Sequence, residues 1–154
     1  MPRAADKTWP MLREVQTRKP SAPAPADPVE PMLRMLNGHC LEQALHVAAR
    51  LGLADLLAAG PMNADGLAQE VKADPTSMLR LLRARASVGV FEEEPDGRFA
   101  LTPLGATLRT YAPGSVRDGA LYYGSSVMWR VWGGLLHSVQ TGESASRHVH
   151  GVSF

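Results

Sequence analysis

The chain has 154 residues and carries 16 Lys and Arg, 15 Asp and Glu, and one cysteine, for a formal net charge of +1. This length suits one domain with a tail, and the near-zero charge argues against attraction to nucleic acid or anionic membranes through bulk charge. The lone Cys40 excludes an internal disulfide and fits a reducing compartment. We find no apolar run of the ~18 residues that span a bilayer, and no apolar secretory signal. We therefore expect a cytoplasmic protein without membrane contact.

Residues 1–28 are predicted to form a flexible tail, because prolines alternate there with small residues. Residues 29–154 are predicted to form one domain. Its first element is predicted to be a single long helix over Pro31–Leu51, with one wide apolar face. An apolar face of this width, placed ahead of a compact domain, favours burial against a partner subunit over packing within its own domain.

The next elements have clear boundary signals. A short helix is predicted over Leu53–Ala59, and Asn63 is placed to cap a helix over Ala64–Lys72. Asp74-Pro75 starts a further helix, which Gly89 ends. Arg85 falls on the apolar side of that helix, so we expect its guanidinium to reach solvent past the helix end or to pair with a carboxylate.

Two short runs then predict a β-hairpin. They are Val90–Glu93 and Arg98–Thr102, joined by a turn at Pro95-Asp96-Gly97, and Pro103 opens another helix. Helix, hairpin and helix in this order predict a mainly α fold, a winged-helix-like domain with one small β-hairpin. Such domains either read DNA or serve as structural modules.

The charges of this region disfavour the DNA-reading alternative. The hairpin is acidic, with a run of three glutamates at 92–94 followed by Asp96. Residues 31–110 contain eight Lys and Arg against nine Asp and Glu, whereas DNA-binding modules neutralise phosphates with basic side chains.

The C-terminal part is predicted to be helical. Short helices are expected over Pro103–Thr110 and from Ser115 to about Gly124, followed by one amphipathic helix over Ser126–Thr141. His148 and His150 are expected in a solvated loop near the end, since no third metal ligand accompanies them. Glycine-rich nucleotide loops and the common hydrolase motifs do not occur in the sequence, so we predict neither catalytic residues nor a metal site in this chain.

Several of these segments resemble a known family. Asn37-Gly38, Gln43-Ala44-Leu45 and Ala48–Leu57, followed by Leu79–Ala84, Ser87–Phe91 and Phe99–Gly105, are similar to the N-terminal dimerisation domain of plant-type and bacterial S-adenosylmethionine-dependent small-molecule O-methyltransferases. The resemblance covers about Pro31 to Phe154 and includes Trp129 and Trp132. Arg85 departs from it, because the family favours an apolar residue there.

The resemblance implies a winged-helix domain whose first helix interlocks with that of a second copy. The homodimer interface would contain Leu33, Leu36, Asn37, Cys40, Leu41 and Leu45. The domain would also close one side of a pocket for a small aromatic acceptor, such as a polyketide or another natural product. The acceptor-contacting residues would be Tyr122, Tyr123, Met128, Trp129 and Trp132, although Met128, Trp129 and Trp132 at helical spacing also suit a packed core.

In the family a Rossmann-like domain follows this region, binds S-adenosylmethionine and carries the catalytic base. We therefore expect no cofactor to bind this chain and no catalysis by this chain alone. Two alternatives from other classes stay open at this point: a winged-helix DNA-binding transcription regulator, and a stand-alone dimeric interaction protein.

Overall fold

The computed structural model describes residues 27–152, and the chain divides into two compact units that meet in sequence between Leu36 and Asn37. The predicted tail lies outside the described residues except for Asp27 and Pro28. The described part is mainly helical with a small antiparallel sheet, as the sequence predicts.

The described part of the first unit is helix α1, Val29–Leu36. Its start is stabilised by Asp27, whose carboxylate accepts a hydrogen bond of 2.9 Å from the Val29 amide. Glu30 and Arg34 form an ion pair one turn apart on its surface. No residue of α1 is buried, and Met35 and Leu36 are 73% and 62% exposed. An apolar face this exposed is available to a partner.

The prediction of one continuous helix over Pro31–Leu51 is wrong, because the helix is interrupted at Asn37. Helix α2 runs over Gly38–Arg50. The carbonyl of Asn37 accepts a hydrogen bond from the Cys40 amide, three residues on rather than four, at 3.0 Å. The physical reason is the Asn37-Gly38 pair, since both residues are weak helix formers and glycine is the weaker of the two.

Three short elements follow α2. Gly52, with φ of +65°, turns the chain from α2 into α3, Leu53–Leu57. Strand β1, Met62–Asn63, leads directly into α4, Ala64–Val71. The Asn63 side chain caps α4 by accepting a hydrogen bond of 2.8 Å from the Gly66 amide, as predicted.

Helix α5, Pro75–Ala86, and the hairpin complete the central part of the fold. Asp74 caps α5 as predicted, accepting from the Ser77 amide at 2.7 Å. Strands β2, Phe91–Glu93, and β3, Arg98–Leu101, pair antiparallel, with Phe91 opposite Leu101. Strand β1 also pairs with β3, which makes a sheet in the order β1-β3-β2. This third strand was not predicted, because two residues are too few to show an alternating pattern.

The core lies between α2–α5 and the sheet. Phe91 and Phe99, from the two strands of the hairpin, are 1% and 0% exposed and pack with leucines of the helices, chiefly Leu53, Leu67 and Leu82. Burial of these large apolar side chains is the main stabilising contribution, about 1.5–3 kcal/mol for each.

Arg85 is buried within this region with 2% of its surface exposed, so both predictions for its guanidinium are wrong. The guanidinium does not reach solvent and pairs with no carboxylate of residues 27–152; Nη1 donates a hydrogen bond of 2.9 Å to the Leu41 carbonyl on α2. Burial lowers the pKa of Arg85 from its ordinary value. The arginine thus fastens α5 to the backbone of α2, against which α5 packs.

The residues after β3 join the hairpin to α6, Pro103–Ala106. The Thr102 hydroxyl donates to the Val90 carbonyl at 2.9 Å and accepts from the Gly105 amide at 2.9 Å. A β-carbon at Gly105 would lie 2.1 Å from the Val90 carbonyl oxygen, so only glycine fits. This junction fixes the direction of α6 relative to the sheet.

Up to residue 152, where the described part of the chain ends, four helices follow α6: α7, Arg117–Tyr123; α8, Ser126–Gly133; α9, Leu135–Thr141; and α10, Ala145–His150. The prediction of one helix over Ser126–Thr141 is wrong, because the helix is interrupted at Gly134. A β-carbon at Gly134 would lie 3.1 Å from Val149 Cγ2 of α10, so the absence of a side chain there provides space for α10.

The prediction of a solvated loop around His148 and His150 is also wrong, since both residues lie on α10. The His148 ring stacks on that of His137, with centroids 3.9 Å apart, and His150 Nε2 is 3.1 Å from the Val127 carbonyl oxygen. Ala145 and Ser146 are buried, and α10 packs against α8 and α9. This packing stabilises a helix that is too short to form on its own.

Candidate functional site

A cavity of about 830 Å³, widely open to solvent, lies between α2 on one side and α7 and α8 on the other, in the second unit. Most of the lining residues are of polar or charged type, although the surface that they present to the cavity is more apolar than polar: Gln43, His46, Arg50, Arg117, Leu121, Gly124, Ser125, Ser126, Trp129 and Arg130. The volume is in the range of pockets that hold small organic ligands, about 300–1,000 Å³.

The two walls of the cavity are held together by side chains of α2 and backbone carbonyls at the end of α7. Gln43 Nε2 donates to the Gly124 carbonyl at 2.8 Å, and His46 Nδ1 lies 3.1 Å from the Ala120 carbonyl oxygen. A β-carbon at Gly124 would lie 2.3 Å from His46 Cβ. The close approach of α7 to α2 therefore requires glycine at this position.

The charge of the lining is positive. Three of the lining residues are the arginines Arg50, Arg117 and Arg130, and none is an Asp or Glu. Among residues 27–152, no ion pair joins any of these arginines to a carboxylate. The Nε atom of Arg117 is buried without a hydrogen-bond partner in the described part of the chain. Arg50 and Arg130 are exposed and Arg117 is partly buried, so guanidiniums without an ion pair in this part of the chain can receive an anionic group from outside the domain.

One of the predicted acceptor-contacting residues, Trp129, lines the cavity and is 36% exposed. Tyr122 and Trp132 are each 51% exposed, and Tyr122 packs edge to face on Tyr123 with ring centroids 5.3 Å apart. Met128 is 3% exposed and buried. The contacts of these five residues with an acceptor stay predictions.

The predicted dimer-interface residues fall in both units. On α1, Leu33 and Leu36 are 50% and 62% exposed. In the second unit, Asn37 and Cys40 are exposed, Leu41 is 40% exposed, and Leu45 is half-buried against the core. Their contact with a second copy stays a prediction.

Apart from Trp129, the residues that form the cavity were not predicted from the sequence. Gln43, His46 and Arg50 share the polar side of α2, which is usually a solvated face. Arg117 and Arg130 are far from Arg50 in sequence and belong to no recognised motif. Their spacing in the sequence does not predict that these arginines lie close together, because only the packing of α7 and α8 against α2 brings them to one cavity.

The arginines at the hairpin are arranged differently. Arg83 of α5 donates to both carboxylate oxygens of Glu93, with Nη2 at 2.9 Å from Oε1, and these hydrogen bonds lower the pKa of Glu93. Arg98 pairs with Asp96 at 2.7 Å and with Glu94 at 3.1 Å. The hairpin thus neutralises its basic side chains internally.

No helix among residues 27–152 has the length and apolar character needed to cross a membrane. Within the same residues, no three His, Cys, Asp or Glu side chains come together as ligands for a metal ion.

Comparison with known proteins identifies the family to which this fold belongs. Residues 33–110, about half of the chain, match the family model of the O-methyltransferase dimerisation domain. The chain belongs to this family. The match begins within α1 and ends just after α6, so it includes the helix–hairpin–helix segment but only part of the cavity lining.

Individual relatives agree with the family assignment. The phenazine O-methyltransferase PhzM of Lysobacter antibioticus is 42% identical over 123 residues, which are 80% of this chain and 36% of that protein. The 3-amino-4-hydroxybenzoate 4-O-methyltransferase of Streptomyces cremeus is 40% identical over 121 residues, 78% of this chain and 33% of that protein. The crystal structure of LaPhzM superposes with a TM-score of 0.77 at 41% identity, over 82% of this chain and 38% of that chain. The chain therefore spans about a third of the length of these relatives.

Proposed function

We propose that this chain acts as the dimerisation and acceptor-lid domain of a small-molecule O-methyltransferase that modifies aromatic natural products. The observation that carries the proposal is the family match over residues 33–110, which includes Leu33, Met35 and Leu36 of the exposed apolar face of α1 and the start of α2. In this proposal the chain forms a homodimer in the cytoplasm and binds neither nucleic acid nor membranes.

The homodimer is supported by the apolar surface of α1. Met32, Leu33, Met35 and Leu36 are each at least half exposed on a helix of eight residues. Burial of apolar surface contributes about 25 cal/mol for each Å² removed from water, so covering this face with a second copy is favourable. A short helix without buried residues also gains its stability mainly from such packing.

The acceptor role is supported by the residues of α7 and α8. Trp129 presents its indole to the cavity, and Tyr122, Tyr123 and Trp132 supply further aromatic surface on the same two helices. Flat aromatic side chains suit planar acceptors, and the names of the relatives above specify a phenazine and a hydroxybenzoate. We propose that Tyr122, Tyr123, Met128, Trp129 and Trp132 orient the acceptor, with Met128 acting from beneath the surface.

We further propose that S-adenosylmethionine and the catalytic base belong to a different domain of the enzyme. The chain spans about a third of its relatives, which leaves most of their length to carry those functions. Positioning of the acceptor would then be this domain's contribution to catalysis. Isothermal titration of the 154-residue chain with S-adenosylmethionine tests this point: we expect no binding heat, and clear saturable heat contradicts it.

Light scattering with size exclusion tests the homodimer. We expect a dimer at about 50 µM and a shift to monomer for Leu33→Asp, because a carboxylate in an apolar interface must be desolvated without a partner. The control is Leu104→Asp, a leucine of similar exposure on α6 (55% against 50%), which should remain dimeric. A monomeric wild-type chain at this concentration would sink the proposal.

The pairing of charges at the hairpin argues against the DNA-reading alternative. Arg83 and Arg98 are held by carboxylates of the same hairpin and are not available to phosphates. A gel shift at low and moderate salt checks this, with no salt-sensitive retardation expected.

A further inference from the structure

We propose that the cavity between α2 and α7–α8 is a subsite for the carboxylate of an aromatic acid, held by Arg50, Arg117 and Arg130. The inference rests on the proposed function, since it names the chemical class of acceptor that this domain would receive. It goes further in assigning specific charged residues to the recognition of that acceptor.

The cavity lining has positive charges that no lining carboxylate balances. Three guanidiniums line a single cavity whose lining contains no carboxylate. At the hairpin, by contrast, Arg83 and Arg98 have acidic partners at 2.7–3.1 Å. A guanidinium presents planar N–H donors that match the two oxygens of a carboxylate, so a ligand with this group supplies the missing charge and the missing acceptors.

Arg117 also has a hydrogen-bond donor without a partner among the described residues. Arg117 Nε is buried, and nothing in the described part of the chain accepts its hydrogen bond. Leaving a buried N–H without an acceptor is unfavourable, and such groups are rare in folded proteins. Nε has no surface exposed to the cavity, so a carboxylate there would reach this donor only after a shift of the Arg117 side chain, which ligand binding would have to bring about.

The remaining lining indicates that the anion is attached to an aromatic body. Trp129 lines the cavity together with the arginines, and Leu121 adds an apolar side chain. The volume of about 830 Å³ accommodates two or three fused rings with room for water. The N-terminus of α8, with Ser125 and Ser126 in the lining, adds partial positive charge to the same space.

Isothermal titration of the 154-residue chain with 1-naphthoate and with 1-naphthamide tests the proposal. The two probes share their ring system and nearly their shape, but only the first carries a charge. We expect naphthoate to bind at least about tenfold more tightly than naphthamide, the size of effect that one charge-assisted hydrogen bond provides. The difference should shrink as salt is raised, because the arginines are partly accessible to solvent.

Variants identify the residues responsible. Arg117→Gln should weaken naphthoate about tenfold and leave naphthamide unchanged. Arg117→Lys, which keeps the charge but loses the planar donor pair, should give an intermediate loss. The matched control is Arg80→Gln, which removes the same charge from the exposed surface of α5, outside the cavity, and should bind naphthoate like the wild type. Circular dichroism verifies that each variant is folded, and Arg130→Gln replaces Arg117→Gln if the latter unfolds.

Three outcomes overturn the subsite. Equal binding of naphthamide and naphthoate shows that the charge is not recognised, and equal losses in Arg80→Gln and Arg117→Gln show that only bulk charge matters. Absence of binding by either probe to a chain that is still dimeric in light scattering rejects the subsite while leaving the proposed dimer standing. A monomeric chain rejects the proposed function itself.

Discussion

The hairpin and the cavity use the same cationic side chain in opposite ways. At the hairpin, Arg83 and Arg98 are satisfied by Glu93, Glu94 and Asp96. In the cavity, the three arginines have no carboxylate partner among the described residues. The comparison teaches that the availability of a charge, rather than its presence in the sequence, decides whether a surface can bind an anion. A net charge of +1 conceals both arrangements.

Arg85 is an arginine in a third environment, the buried core. Its replacement should have the largest effect on the free energy of unfolding. Arg85→Ala should lower the free energy of unfolding by about 2–4 kcal/mol, because it leaves a void in the core next to α2. Arg85→Met should be within about 1 kcal/mol of the wild type or more stable, since an apolar side chain of similar length removes a buried charge. Urea denaturation measures both variants. A methionine variant as unstable as the alanine variant would show that the hydrogen bond to Leu41, rather than the volume of the side chain, is what stabilises this contact.

A substitution that disturbs the close approach of α7 to α2 should have the next largest effect on stability. It tests the helix contact that forms one wall of the cavity. Gly124→Ala should destabilise the domain by about 1–3 kcal/mol, because the new β-carbon would overlap His46. The control is Gly119→Ala on α7, where a β-carbon meets nothing within 4 Å; there alanine should stabilise by about 0.5–1 kcal/mol. Thermal unfolding followed by circular dichroism compares the two. Similar melting temperatures for both variants would contradict the close packing of these helices.

Removing a charge pair of the hairpin should have the smallest effect on stability, and this effect depends on pH. The hydrogen bonds from Arg83 lower the pKa of Glu93 in the folded protein. A carboxyl group whose pKa is lowered by folding contributes stability above its unfolded pKa, and this contribution is lost as pH falls through the folded value. Because both side chains are on the surface, the loss should be small.

Melting temperatures measured between about pH 6 and pH 3 test this point. The wild type should lose slightly more stability across this range than Glu93→Gln, which has no charge to neutralise at this site. Glu92→Gln, on the same strand, is the control and should follow the wild type. Identical pH profiles for the wild type and Glu93→Gln would mean that the ion pair does not stabilise the domain.

Local signals in the sequence predicted the elements that local interactions determine. Asn63 and Asp74 cap their helices as expected because a cap needs only a side chain and an amide three residues on. The hairpin also has its predicted strands, since the turn residues and the apolar residues of each strand lie close together in sequence.

Features that depend on distant residues were missed or predicted wrongly. The break at Gly134 accompanies the packing of α10, and α10 itself is stabilised by contacts with α8 and α9. The acceptor of the Arg85 hydrogen bond is a backbone carbonyl. Every residue has such a carbonyl, so the residue types in the sequence do not predict which one accepts. The cavity combines residues 50, 117 and 130, whose proximity depends on how α7 and α8 pack on α2.

Helix α2 carries part of the predicted dimer interface and part of the cavity lining. Cys40 and Leu41 are exposed among its predicted partner-facing residues, while His46 and Arg50 line the cavity. A helix moves as a stiff rod, so a guest molecule that rotates α2 would reshape the surface offered to a second copy. Thermodynamic reciprocity then requires self-association to change the affinity for that guest by the same factor.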